Sequence, residues 1–207
     1  MSGAAGAPAL VWFRQDLRLS DNPALAAAVE RGAPVIPVYI WAPEEEGAWP
    51  PGAASKWWLG RSLAALGAEL QKRGSRLIVS LGPTEDALHR LAAETGAGAV
   101  FWNRRYEPAA VARDSQVKAS LRGRGILAES FNGSLLFEPW NVSNQAGQPF
   151  RVFTAFWRAC LSRPVAPPAK DAPKRLPSPE SWPHSLDRKS TRLNSSHSRA
   201  SRMPSSA

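Results

Sequence analysis

The apolar run Ala9–Phe13 is followed at once by Arg14, Asp16 and Arg18. Charges placed directly after a buried strand stand at the carboxyl edge of a sheet, where ligands of doubly wound α/β folds bind. The same side chains could instead form an ion network that only holds the strand end. Ser55 and Lys56 open an amphipathic segment, where the positive end of a helix suits an anionic group. Several chemistries are excluded. The chain has no G-x-G-x-x-G, no P-loop and no nucleophile–base set. Its histidines and the single Cys160 lack zinc-ligand spacing, so neither a catalytic residue nor a metal site is expected.

The elements that must position these residues are legible from periodicity. Short apolar runs alternate with amphipathic stretches at the spacing of βα units, which predicts a parallel sheet. The strands are expected at Ala9–Phe13, Val35–Ile40, Arg76–Ser80, Ala99–Trp102 and Ile126–Ser130. The helices are expected at Pro23–Glu30, Ser55–Arg73, Thr84–Thr95 and Pro108–Arg122. Asn22 before Pro23 reads as an N-cap with proline at the first helical position. Ser55 and Thr84 are expected to cap their helices in the same way, and Gly32, Gly74, Gly96 and Gly123 to end the four helices. The fold class is therefore α/β: a Rossmann-like, doubly wound, five-stranded parallel sheet with flanking helices, followed by a Pro-rich linker and a disordered tail.

Length and 43% hydrophobic content allow one good core. One free cysteine points to a reducing cytoplasm, and the N-terminus carries neither a signal peptide nor a membrane span. The formal charge of +9 is unevenly spread, because residues 187–207 hold five cations against one Asp. That leaves a weak case for nucleic acid as a partner of this part of the chain. Seven prolines between Arg163 and Leu186 forbid long helices there. The Ser/Arg-rich residues 187–207 resemble translated cloning sequence, with a natural disordered tail as the other reading. The expected organisation is a domain over 8–135, an exit segment over 136–162, a linker over 163–186 and the tail.

Four ordered stretches carry a family likeness. Leu10–Leu25 (LVWFRQDLRLSDNPAL) closely resembles the opening strand and helix of the DNA photolyase/cryptochrome family. Ala53–Leu59 (AASKWWL), Trp102–Pro108 (WNRRYEP) and Phe131–Trp140 (FNGSLLFEPW) resemble later parts of the same domain, and Pro149–Trp157 (PFRVFTAFW) resembles the start of the passage to a flavin domain. The resemblance implies that this is the α/β antenna domain, cut off before the helical domain that holds FAD and the DNA lesion. It implies light-driven repair of cyclobutane pyrimidine dimers in UV-damaged DNA by the full-length protein, with the fragment itself inactive. A cryptochrome-type blue-light receptor and a stand-alone α/β nucleotide-binding module are the alternatives. The protein is expected to be a cytoplasmic monomer with no membrane partner.

An antenna chromophore is a planar conjugated ring that needs aromatic faces and a few polar groups at its edge. The residues expected to bind it are Arg14, Trp41, Ser55, Lys56, Asn103, Arg104, Arg105, Tyr106 and Glu107, with Arg14, Trp41 and Arg104 sharing one rim. Trp12, Phe101 and Trp102 are expected in the core, one of Trp57 and Trp58 in the core and the other at the surface or in the pocket, Arg113 and Asp114 as helix-surface or interdomain charges, and His89 in solvent. Some folate-binding photolyases carry Asn-Glu after the Tyr-Glu of this loop, whereas here Pro108 follows Glu107. The SKWW and NRRYE stretches look more like the bacterial branch related to plant cryptochromes. Methenyltetrahydrofolate is therefore favoured over 8-hydroxy-5-deazaflavin.

Overall fold

The computed structural model describes residues 6–47, 50–164 and 171–186. The strands are β1 (Ala9–Phe13), β2 (Val35–Trp41), β3 (Ile78–Leu81), β4 (Ala99–Asn103) and β5 (Leu127–Phe131). They form one sheet in the order β3-β2-β1-β4-β5, and every pair is parallel. The helices are α1 (Pro23–Glu30), α2 (Ala53–Lys72), α3 (Thr84–Thr95), α4 (Pro108–Gly123) and α5 (Phe153–Leu161).

β1 is buried along its whole length because it lies at the centre of the sheet with helices on both faces. Its side chains alternate between two cores. Leu10 and Trp12 join Ile36, Val38, Leu88, Leu91 and Trp102 on one side. Ala9, Val11 and Phe13 join Leu25, Val35, Leu66, Leu70 and Phe101 on the other. The winding reverses between β1 and β4, which opens a crevice at their carboxyl ends.

Asn22 caps α1 as expected, accepting from the Leu25 N–H at 3.0 Å. Two other expected caps fail. α2 begins at Ala53 after Gly52, so Ser55 lies inside the helix. Thr84 is the first residue of α3 rather than its cap, and its N–H and hydroxyl both donate to the Glu45 carboxylate. Gly123 stays within α4, and the left-handed turn behind it falls on Gly125, at φ +77°. Neither Trp57 nor Trp58 reaches the core, because the inward stripe of α2 is Leu63, Leu66 and Leu70.

The described part of the Pro-rich segment, 171–186, has no helix and lies against the domain. Leu176 is fully buried with Leu70 and Val35. The Pro177 carbonyl accepts from the Val35 N–H at 2.8 Å, and the Leu186 N–H donates to the Val79 carbonyl at 3.0 Å. This strap runs from the start of β2 to the outer edge of β3, and Trp182 beneath Arg76 helps to fix it. The expected tail, 187–207, falls outside the described residues.

Candidate functional site at the carboxyl edge of the sheet

The charges behind β1 are held from several directions. The buried Arg14 guanidinium donates from Nη1 to Asp114 Oδ2 at 2.6 Å and from Nη2 to the Asn103 carbonyl. It also stacks on Trp12, 4.5 Å from the ring centre. Burial pulls the Arg14 pKa down against the stabilising charge of Asp114. Asn103, at the end of β4, is a hub: its Oδ1 accepts from the Ala24 N–H at 3.1 Å, and its Nδ2 donates to Asn22 Oδ1 at 2.9 Å and to Asp16 Oδ2. Arg18 reaches across to the Gly133 carbonyl at 2.6 Å. A side chain at Gly133 would place its Cβ 2.6 Å from Asn103 Cγ, so the loop after β5 can approach only without one. The ion-network reading thus describes Asp16 and Arg18, which tie β1, α1, β4 and the post-β5 loop together.

A second network borders the first. Arg105 donates to Glu46 at 2.7 Å and to Glu107 at 3.1 Å. Arg113 lies 3.7 Å from Glu46 and 3.8 Å from Glu45, and its guanidinium sits over the Trp12 ring, 5.3 Å from the ring centre. Arg113 and Asp114, expected as helix-surface or interdomain charges, are instead drawn into this network, each side chain only 12% exposed. His89, expected in solvent, is tucked between α3 and α4 with Nε2 2.8 Å from the Ser120 hydroxyl.

The hydrogen bond from Arg105 holds the Glu46 carboxyl below its usual range, against the opposing effect of burial. A depressed carboxyl pKa contributes stability above the unfolded value, near 4.3, and loses it as pH falls through the folded value. The melting temperature should therefore fall on acidification below about pH 4.3, and Glu46→Gln should flatten that fall while leaving a lower plateau at neutral pH. Thermal scans between neutral and acidic pH check this, and parallel profiles would refute it.

Two concavities lie on this edge. The larger, about 1110 Å³, is walled by Trp12, Tyr39, Trp41, Trp58 and Leu59, with Arg14, Ser55 and Arg105 at its polar margin and Ala172 of the strap on its far side. The smaller, about 520 Å³, is lined by Asn103, Arg104, Tyr106, Glu107 and Ser134, and it shares Arg14 and Arg105 with the first. The nine expected binding residues are thus divided. Arg14, Trp41, Ser55 and Arg105 border the larger cleft; Asn103, Arg104, Tyr106 and Glu107 border only the smaller; Lys56 borders neither. The single rim expected for Arg14, Trp41 and Arg104 does not form.

Arg104 turns instead toward the segment after β5. It donates to Glu138 at 3.0 Å, where the Tyr106 hydroxyl also donates at 2.7 Å, and Trp140 stacks against both. Tyr39 and Trp12 were missed as cleft residues, since a strand aromatic read from sequence looks the same whether its edge meets core or cavity. Trp12 Nε1 and Arg14 Nε are buried beside the cleft with no hydrogen-bond partner among the described residues. Aromatic walls, cationic margin and two unpaired donors fit a flat conjugated ligand carrying acceptor atoms.

Sheet order, switch-point crevice and aromatic cleft define a doubly wound α/β ligand-binding domain. The family model for DNA photolyase matches residues 9–178, and the chain belongs to the DNA photolyase family. It is 51% identical over 181 residues to the deoxyribodipyrimidine photo-lyase of Agrobacterium fabrum, covering 86% of this chain and 37% of that protein. It is 48% identical over 164 residues to cryptochrome-1 of Arabidopsis thaliana, covering 79% of this chain and 24% of that protein. The crystal structure of a bacterial class III photolyase from Agrobacterium tumefaciens superposes with a TM-score of 0.84 at 48% identity, over 93% of this chain and 39% of that one. A photolyase from Sulfolobus tokodaii, crystallised with two FAD molecules and discussed in terms of a novel light-harvesting cofactor, superposes at 0.70 with 26% identity, over 88% and 40%. The chain therefore spans between about a quarter and two fifths of these relatives.

Proposed function

We propose that this chain is the light-harvesting domain of a deoxyribodipyrimidine photolyase, and that its larger cleft holds the antenna chromophore. The observation that carries the reading is the aromatic-walled cleft at the carboxyl edge of a photolyase-family sheet. In the full-length protein the FAD, the damaged DNA and the repair chemistry belong to the polypeptide beyond this domain. The antenna, when bound, supplies light absorption and passes the energy on. The residues of this chain bind and orient it: Trp41, Trp58 and Tyr39 offer faces, while Arg14, Arg105 and Ser55 offer charge and hydrogen bonds at the edge.

Methenyltetrahydrofolate remains the favoured occupant over 8-hydroxy-5-deazaflavin, supported by the SKWW and NRRYE stretches and by identity to a plant cryptochrome. The Sulfolobus protein makes a flavin a third occupant to test. That same 48% identity to cryptochrome-1 supports a blue-light receptor as the second reading, decided by whether the full-length protein repairs pyrimidine dimers.

Trp41→Ala removes a stacking face worth about 1 kcal/mol, so chromophore retained after reconstitution and gel filtration should fall several-fold. Tyr106→Phe, which borders only the smaller concavity, should leave retention unchanged. Absorbance of the filtered protein measures both, and unchanged retention in Trp41→Ala would move the antenna out of the larger cleft.

A further inference from the structure

The sheet ends on β3 at one side and on β5 at the other. Along β3 the strap closes the edge: the Val79 N–H donates to the Ser185 hydroxyl at 3.0 Å, and the Val79 carbonyl accepts from the Leu186 N–H at 3.0 Å. Along β5 no backbone segment does so among the described residues. The direction of its backbone groups follows from the ladder to β4. The Leu127 N–H donates to the Gly98 carbonyl at 3.0 Å and the Phe131 carbonyl accepts from the Arg104 N–H at 2.7 Å, so Leu127, Glu129 and Phe131 turn their groups toward β4. Ala128 and Ser130 alternate with them and present their N–H and C=O groups outward. Both outward carbonyls are taken by side chains. The Ala128 carbonyl accepts from Arg122 Nη2 at 3.0 Å, and the Ser130 carbonyl from Arg104 Nη1 at 2.9 Å. Lys118 adds a third cation, donating to the Ser130 hydroxyl at 3.3 Å, and burial together with the charges of Arg122 and Arg104 holds its pKa down.

We infer that Arg122 and Arg104 keep the β5 edge from adding a strand of a second copy of this chain. A bare strand edge is a template for pairing, and charged side chains laid along it are one way of blunting it. The second copy is the occupant because a two-fold axis at Glu129 would join two β5 edges antiparallel into one continuous sheet. That register sets Ala128 of one copy opposite Ser130 of the other, exchanging N–H and C=O bonds. Each carbonyl those bonds need is one that an arginine already holds. The exposed Glu129 would also face Glu129 across the axis, where like charges directly opposite destabilise a pair. Strand addition therefore has to strip both guanidinium contacts from each copy.

Sedimentation velocity of the 207-residue chain and its variants over a range of concentrations tests this. The parent should show no association through β5. Arg122→Ala frees one edge carbonyl on each copy, so a dimer should form about tenfold or more tightly than in the parent. Arg122→Lys keeps a cationic donor in reach and should behave as the parent. In the Arg122→Ala dimer, exchange of the Ala128 and Ser130 amides should slow by about tenfold as concentration rises, because those two N–H groups point outward. Adding Ser130→Pro, which removes one outward donor and leaves the β4 ladder intact, should abolish the dimer; the amide readout locates the contact without that substitution. An Arg122→Ala chain that sediments as the parent does at every concentration overturns the proposal. So does a parent dimer in which the Ala128 and Ser130 amides are protected, since the edge would then be open with its arginines in place. A dimer of Arg122→Ala whose two amides exchange as fast as in the monomer assigns the association to another surface and overturns it equally.

Discussion

Trp102→Ala is expected to lower the unfolding free energy by about 3–5 kcal/mol, the usual cost of deleting a large buried aromatic. Trp102 is 1% exposed, packs against Trp12 with ring centres 5.9 Å apart and closes the β1–β4 pairing at its carboxyl end. Domains of this size have only about 5–15 kcal/mol to lose, so the variant should approach the unfolding threshold at 37 °C. Trp102→Phe keeps most of the volume and should lose much less. Urea unfolding of the three proteins measures the series, and a Trp102→Ala midpoint within error of the parent would show that the site collapses without a cavity.

Arg14→Leu should cost a similar amount for an electrostatic reason. Removing one partner of a buried pair leaves the other charge desolvated, at about 3–5 kcal/mol. Here Asp114 would keep only its contacts with Arg113, and the Asn103 carbonyl would lose its donor. The double variant Arg14→Leu/Asp114→Leu removes both charges, so it should recover a large part of the loss. An Arg14→Leu protein as stable as the parent would mean that Arg113 and the cleft solvent compensate fully. Because Arg14 also borders the larger cleft, chromophore retention in these variants should be compared at a temperature where both are folded.

Why some of this was legible and some not follows from range. Five strands and four helices were marked by local signals: the continuous apolar run of β1, three-to-four spacing in α2, and the Asn22-Pro23 start of α1. The sheet order needed only the switch point of a doubly wound fold. Caps failed where a tertiary partner took over, as when the Glu45 carboxylate claimed both polar groups of Thr84. Site residues failed for the same reason. Arg104 and Tyr106 sit in the motif beside Arg105, but Glu138, far along the chain, draws them toward the exit segment. Asp114 could not be told from any helix-surface acid until α4 was placed against the end of β1. Trp58 lies at helical spacing ahead of Leu63, Leu66 and Leu70, yet the first turns of α2 are largely exposed and the indole is 68% exposed where it lines the larger cleft.

The strap at residues 171–186 also sets a timetable for synthesis. All five strands have left the ribosome once Phe131 has emerged, and the sheet can close its order from that moment. The start of β2 and the outer edge of β3 stay bare until the chain has grown by roughly 45 and 55 more residues respectively, which takes about 2–11 s at typical elongation rates. During that interval an exposed strand edge is open to pairing with a neighbouring nascent chain. A ribosome that stalls between α5 and Leu176 would therefore hold a domain with every strand in place and one side still adhesive.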